Sequence, residues 1–241
     1  MDSASLPKVN EIIAKFCAAV VEEPLCYFSE ADLQSMLFTR LTAKFPQTPE
    51  TSVQRGPNSK GKYRTGLVHR EYGAGGSRRI DLCVFSPASI ASLDRADLMV
   101  EGKYLVPEFA IELGTEKTVD TAGHIAGDLK KLAAARTRGY LIHFFRDPTV
   151  ADMGTARREA SEARLAEVFR HPTLAIKATT NVVYLCFLLR IRRTSKRIWG
   201  KCEFYGTGER SWSKLNVSGV ATKVREVLDK SPSSELVTPG G

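Results

Sequence analysis

The chain has 241 residues, a formal net charge of +8 and 43% hydrophobic residues. That length suits one large α/β domain whose core needs neither metal nor disulfide, and the five cysteines, Cys17, Cys26, Cys83, Cys186 and Cys202, include no CxxC pair, which argues against a zinc knuckle or a disulfide framework. No apolar run approaches the ~20 residues a membrane span needs, and "MDSASLPKVNEII" lacks a basic segment followed by an apolar one, so the sequence predicts a cytoplasmic protein with reduced, buried thiols and no membrane partner.

The positive charge is concentrated. Residues 136–214 hold 16 Lys or Arg against 7 Asp or Glu, and the remainder holds 19 against 20. A one-sided positive field suits a polyanion, because neutralising phosphates releases condensed counterions, although a basic segment can also be a solvated face. The weight falls on nucleic acid.

In chain order, "FSEADLQSMLFTRLTAKF" predicts a first helix, with Ser29 as N-cap, Glu30 and Asp32 in the first turn, and Leu33, Met36, Leu37 and Leu41 as its apolar stripe. Residues 46–66, rich in Pro, Gly, Ser and charge, read as a mobile connection. "LVHREYG" predicts a strand, "GAGG" a turn without the GK[ST] of a phosphate loop, and "RRIDLCVF" a second strand with Ile80, Leu82 and Val84 opposite Asp81, Cys83 and Phe85. A long crossing over residues 86–106 leads to "FAIELGTEKT", where Phe109, Ile111 and Leu113 alternate with Ala110, Glu112 and Gly114. Two adjacent strands each carry one acid.

"TAGHIAGDLKKLAAAR" predicts a second helix with Ile125, Leu129, Leu132 and Ala133 as its buried stripe and His124, Asp128 and Lys131 on one flank. "GYLIHFF" is apolar enough for a central strand covered on both faces. "MGTARREASEARLAEVF" predicts another amphipathic helix, and "NVVYLCFLLRIRRTSKRIWGKCEFYG" a long hairpin whose basic tip carries Arg190, Arg192, Arg193, Lys196, Arg197 and Lys201, with Trp199 among them. These cations are the candidate nucleic-acid contacts, or else charges guarding an exposed edge. A helix striped by Val220, Val224, Val227 and Leu228 comes next, and residues 231–241 read as a disordered tail. The expectation is one domain over residues 1–230, with a core at about 27–146 and an elaboration at about 150–230.

Two carboxylates on neighbouring strands and one sheet face do not stay ionised in a low-dielectric site without a cation. With no His or Cys cluster nearby, oxygen ligands point to Mg²⁺ or Mn²⁺, which keep water and phosphate in their shells. Singly, Asp81 could instead pair with Arg78 or Arg79, and Glu112 could cap a loop. His69, His143 and His171 have no spacing that suggests a shared ligand set.

The order helix, strand, strand, strand, helix, strand, with "REY", "RRIDLCVF", "FAIELG", "GHIAGDLKKL" and "GYLIHFF" in sequence, resembles the PD-(D/E)xK nuclease superfamily over residues 27–146. The resemblance implies a restriction-endonuclease-like αβββαβ core, a mixed sheet flanked by helices, followed here by the basic hairpin and a helix. It implies metal-dependent hydrolysis of DNA, with RNA left open, in a restriction or defence role, and a homodimer where both strands are cut. Carried over, Asp81 and Glu112 are the metal ligands, Glu30 an auxiliary acid, and Glu71 with Tyr72 the acidic-aromatic pair ending the first strand. Ile80 stands where the family has its Pro. Gly114 stands where the family has its lysine; Lys117 is the first replacement, reaching back only if the chain bends at Gly114, with Lys131 and Lys103 as alternatives. The other expectation is a nuclease-like fold that binds nucleic acid or a protein partner without cutting.

Overall fold

The computed structural model describes residues 5–54, 60–73, 79–91, 105–115, 121–147, 181–193, 198–207 and 213–230. Helices α1 (Ser5–Glu22) and α2 (Glu30–Lys44) precede a two-stranded antiparallel ribbon, β1 (Glu50–Gln54) with β2 (Lys60–Arg64). Then come β3 (Val68–Gly73), β4 (Arg79–Val84), a short α3 (Pro87–Ala91), β5 (Phe109–Thr115), α4 (Thr121–Ala134), β6 (Arg138–Asp147), β7 (Val182–Arg193), β8 (Ile198–Gly206), β9 (Ser213–Leu215) and α5 (Val217–Lys230).

Strands β3 to β9 form one mixed seven-stranded sheet in sequential order. The β5–β6 and β6–β7 pairs are parallel and the others antiparallel. A parallel pair needs a crossover, and α4 supplies it between β5 and β6. The resulting α/β architecture covers the central strands on both sides. On one face Phe144 meets Phe16 of α1 edge-on at 5.8 Å and Tyr27 at 6.3 Å, Gln34 of α2 accepts a bond from Arg70 at 3.4 Å, and the Arg138 guanidinium donates to the Leu228 carbonyl of α5 at 2.9 Å. On the other face α4 lies against β5 and β6, with Leu132 so close to Gly139 that an added Cβ would sit 3.1 Å from it. Each large apolar side chain removed from water in this way contributes roughly 1.5–3 kcal/mol.

The start of α2 follows its sequence signals. Asp32 N–H donates to Ser29 Oγ at 3.3 Å and Ser29 N–H to Asp32 Oδ2 at 2.8 Å, a reciprocal capping box. Leu33, Leu37 and Leu41 are buried as expected.

Four expectations change. Residues 46–66 contain the β1–β2 ribbon, because backbone groups pair across an antiparallel ladder whatever the polarity of the side chains. Helix α1 was not among the expected elements, although Val9, Ile13, Phe16 and Val20 recur at helical spacing and all are buried. The basic hairpin is not an appendage: β7 pairs with β6 along nine positions, from Gly139↔Val182 to Asp147↔Arg190, and so extends the central sheet. In α4 the expected stripe residue Ala133 is exposed, and the last apolar contact is made by Ala135 just past the helix end. Four of the cysteines are buried, Cys26 is exposed, and all five are unpaired. The expected helix at residues 153–169 and the tail at 231–241 lie outside the described residues. No helix among the described residues is long and apolar enough to cross a membrane.

Candidate active site

Asp81 and Glu112 are brought together by sheet register. Strands β4 and β5 pair at Val84↔Phe109, Cys83↔Ala110 and Leu82↔Ile111, and one further step sets Asp81 against Glu112 on the α4 face. The ladder stops there. Instead of continuing it, the Leu113 N–H donates to Asp81 Oδ2 at 2.7 Å. The β3–β4 pairing also lapses at this level, running to Arg70↔Leu82 and resuming at Tyr72↔Ile80, and Glu71 between them has φ 49°. A left-handed non-glycine residue in a strand is uncommon and strained, and such strain clusters at functional sites. Both acids are buried, Asp81 at 6% and Glu112 at 1% exposure.

Helix α4 brings the cation. Lys131 Nζ donates to Glu112 Oε2 at 2.8 Å and lies 2.9 Å from Asp128 Oδ1, one helical turn earlier. Asp128 therefore belongs to the site, whereas His124, on the same flank of the helix, is exposed.

The structure also gives a reason for Gly114. It pairs with His143 in the parallel β5–β6 register, and a Cβ built on Gly114 would fall 2.3 Å from His143 Nε2 and 2.4 Å from Cδ2. A side chain at residue 114 and the imidazole at 143 therefore compete for one space, and the histidine has it. A lysine on β5 is excluded by packing while that ring stays, and the ammonium arrives from the helix instead. Sequence spacing had given His143 no role, because its partners are set by pairing between strands. It is 3% exposed, its Nε2 is 3.9 Å from Asp128 Oδ2, and among the described residues neither ring nitrogen has a hydrogen-bond partner.

The electrostatics are those of crowded acids. Burial, chiefly, pushes the Asp81 carboxyl up to about 7; Glu30 and Asp128 add to the rise, while the Leu113 N–H and Lys131 oppose it. Glu112 is raised by burial and then by the Asp81 charge, against the Lys131 hydrogen bond. For Asp128, desolvation pulls upward, but the His143 ring and the Lys131 ammonium outweigh it and hold the carboxyl below its ordinary value. Lys131 is likewise opposed by desolvation, yet its two carboxylates keep it above the ordinary lysine range. One ammonium faces three acids.

Glu30 sits at the first position of α2 and bears on Asp81 through its charge. Asp81 forms no ion pair with Arg79, and Arg78 lies outside the described residues. Lys117 and Lys103 also lie outside them, as do Lys196 and Arg197 at the hairpin tip. Arg190, Arg192 and Arg193 lie on β7 and Lys201 on β8, paired as Arg190↔Lys201, Arg192↔Trp199 and Arg193↔Ile198. Arg190 and its partner Lys201 stand level with Asp147, where β6 ends, and Arg192 and Arg193 lie past it.

Mg²⁺ or Mn²⁺ fits this donor set. Among the described residues the buried Glu112 Oε1 has no hydrogen-bond partner, and the raised carboxyls would ionise readily only beside added positive charge. Among the described residues no three His, Cys, Asp or Glu side chains form a metal-binding group by themselves. Two carboxylates with water and phosphate are a usual Mg²⁺ shell. Compared with models of protein families, with curated proteins and with solved structures, the chain matches none.

Proposed function

We propose that the protein is a metal-dependent endonuclease of the restriction-endonuclease-like kind, hydrolysing phosphodiester bonds in DNA, with RNA as the arm to compare. The observation that carries the reading is the convergence of Asp81, Glu112 and Lys131 on one buried patch where two β-ladders lapse. The run α2, β3, β4, β5, α4, β6, with antiparallel, antiparallel and parallel pairing, is the order expected of that core.

Asp81 and Glu112 would hold the Mg²⁺ or Mn²⁺. When bound, the ion would supply a lowered pKa for attacking water and stabilisation of charge developing on phosphate oxygens. The chain's own groups do the rest. The Leu113 N–H fixes the orientation of Asp81, and Lys131 occupies Glu112 Oε2 and leaves Oε1 to point at a ligand. Asp128 holds the ammonium in place, ready to face a phosphate oxygen in place of the family's lysine, for which Lys117 was the first expected replacement. Glu30 is the auxiliary acid at the rim.

The hairpin supports a polyanionic substrate. Tyr184 aligns with Leu141, which aligns with Glu112, so Arg190 to Arg193 lie six to nine residues further along β7. At ~3.3 Å per residue that is roughly 20–30 Å beyond the level of the site, the span of about six to nine base pairs at 3.4 Å each.

A second reading, binding without cutting, is favoured by one observation: the Lys131 ammonium is already engaged by two carboxylates. Nicking of supercoiled plasmid in Mg²⁺ and Mn²⁺, with Asp81→Ala, Glu112→Ala and Lys131→Met, separates the two. The endonuclease reading expects cutting by the wild type and a loss of at least ~10²-fold in each variant, the scale of removing one transition-state stabiliser. Equal behaviour of all four proteins would leave only the binding fold.

A further inference from the structure

Phe28 is 90% exposed, while Tyr27 before it is fully buried. Preceding the Ser29 cap of α2, it occupies the position from which an apolar side chain ordinarily packs on the fourth helical residue, here Leu33. Leu33 is fully buried and Phe28 stands out in solvent, so that staple is not made. Its exposure is not looseness of the backbone. Phe28 N–H and Ser29 N–H both donate to Asp32 Oδ2 at 2.8 Å, and the Arg146 guanidinium donates to the Tyr27 carbonyl at 2.9 Å while lying 4.3 Å over the Tyr27 ring. A large apolar ring is thus held in water from both sides.

Its surroundings narrow what covers it. The Arg146 guanidinium lies against Tyr27, and that of Arg40 lies 6.0 Å over the Phe16 ring, which meets Phe144, itself packed on Tyr27, so two guanidiniums stand near this turn. Glu30, two residues on, opens α2, which packs on β4 and β5, the strands that carry Asp81 and Glu112, and this places the turn towards the candidate active site. One aromatic ring and the half-exposed Leu25 among charges are far smaller than the apolar core of a protein interface. An aromatic face next to guanidiniums is instead the pairing by which bases stack while their phosphates are neutralised. A base in a duplex offers its edges, and only an unpaired or splayed base offers its face.

We propose that Phe28 is a stacking platform for an unpaired base of the substrate strand, with Arg40 and Arg146 taking the adjoining phosphates. The proposal rests on the nucleic-acid reading above and adds the strand's state: single-stranded or locally opened at the site.

The test is equilibrium binding of the full chain in EDTA, so that cutting does not intrude, to short single-stranded DNA, single-stranded RNA and blunt duplex carrying 2-aminopurine, over a range of salt. The wild type should quench the probe in a single strand and prefer single strand to duplex; the DNA and RNA arms show which sugar it takes. Phe28→Ala should weaken that binding by roughly ten-fold or more without changing the salt slope, and Phe28→Trp should keep the affinity and have its own emission quenched. Arg40→Gln should instead lower the salt slope by ~0.7–1. Equal affinity of Phe28→Ala and wild type overturns the platform. So does a loss confined to self-association, which would make a second copy of the chain the occupant, and so does no binding to any strand. Plasmid nicking is scored separately: binding that depends on Phe28 without cutting retains the platform and ends the endonuclease reading, and cutting without Phe28 dependence does the reverse.

Discussion

At the start of β6 the Tyr140 hydroxyl donates to Asn10 Oδ1 at 3.0 Å, Asn10 Nδ2 donates to Asp229 Oδ1 at 2.9 Å, and Arg138 reaches the Leu228 carbonyl. On the opposite face of the same strand, His143 looks toward Asp128 across 3.9 Å, and among the described residues neither its ring nitrogens nor the buried Glu112 Oε1 has a hydrogen-bond partner. The first cluster ties α1 and α5 to the sheet, and its bonds run from one element to the next. The second leaves acceptors open and crowds three acids around one ammonium. Like charges crowded out of water do not help to hold a fold, so the second cluster calls for an explanation outside it.

The largest expected difference between the two clusters is in their response to pH. Asp81 has a folded pKa of about 7 against an ordinary 3.8, so between those values the folded chain binds more protons than the unfolded one. Its contribution is intact below pH 4 and is lost as pH rises towards 7, by up to ~4 kcal/mol; Glu112 acts in the same direction. Urea midpoints in EDTA should therefore fall between pH 5 and pH 8, flatten in Asp81→Asn, and recover at pH 8 on adding Mg²⁺. Midpoints that ignore both pH and Mg²⁺ would make this cluster as structural as the other.

Lys131→Met comes next. Cleavage should fall ~10²–10³-fold, whereas Lys130→Met, on the exposed neighbouring position of α4, should leave it unchanged. Equal loss in both would mean that the helix matters and the ammonium does not. Gly114→Ala should then cost ~1–3 kcal/mol in urea, because its Cβ meets the His143 ring. Adding His143→Ala should return part of that cost, a coupling that a double-mutant cycle reads directly. The sharper form moves the lysine: Gly114→Lys with His143→Ala and Lys131→Met should cut better than Lys131→Met alone. The smallest effect is expected at the other cluster, where Tyr140→Phe removes one hydrogen bond for ~1 kcal/mol and should leave cleavage as it was. A drop in cleavage there would dissolve the contrast.

Asp81 and Glu112 were legible in the sequence because strand alternation fixes which face a residue takes, and neighbouring strands put both acids on one face. The Ser29 cap of α2 was legible because its signals lie within four residues, while the reciprocal bond from Asp32 back to the cap emerged only from the structure. Gly114 was not, since its reason is a side chain 29 positions away on a strand that becomes its neighbour only through α4. Asp128 and Lys131 were on the right flank of their helix, but a helical wheel gives a direction and says nothing of what stands there. The β1–β2 ribbon was hidden by composition, which registers side chains while the ladder is made by the backbone.

Because the amide of Leu113 is hydrogen-bonded to a carboxylate where a strand carbonyl would ordinarily stand, its proton is a reporter. Protonation of Asp81 or coordination of its oxygens changes the acceptor, so the ¹⁵N–¹H resonance of this one residue should move with pH and with Mg²⁺ while Ile111, inside the intact ladder, stays still. In Asp81→Ala the same proton should exchange with solvent deuterium sooner than in the wild type. An engineered label is unnecessary: the ladder's first missing rung supplies the chain with its own indicator of occupancy.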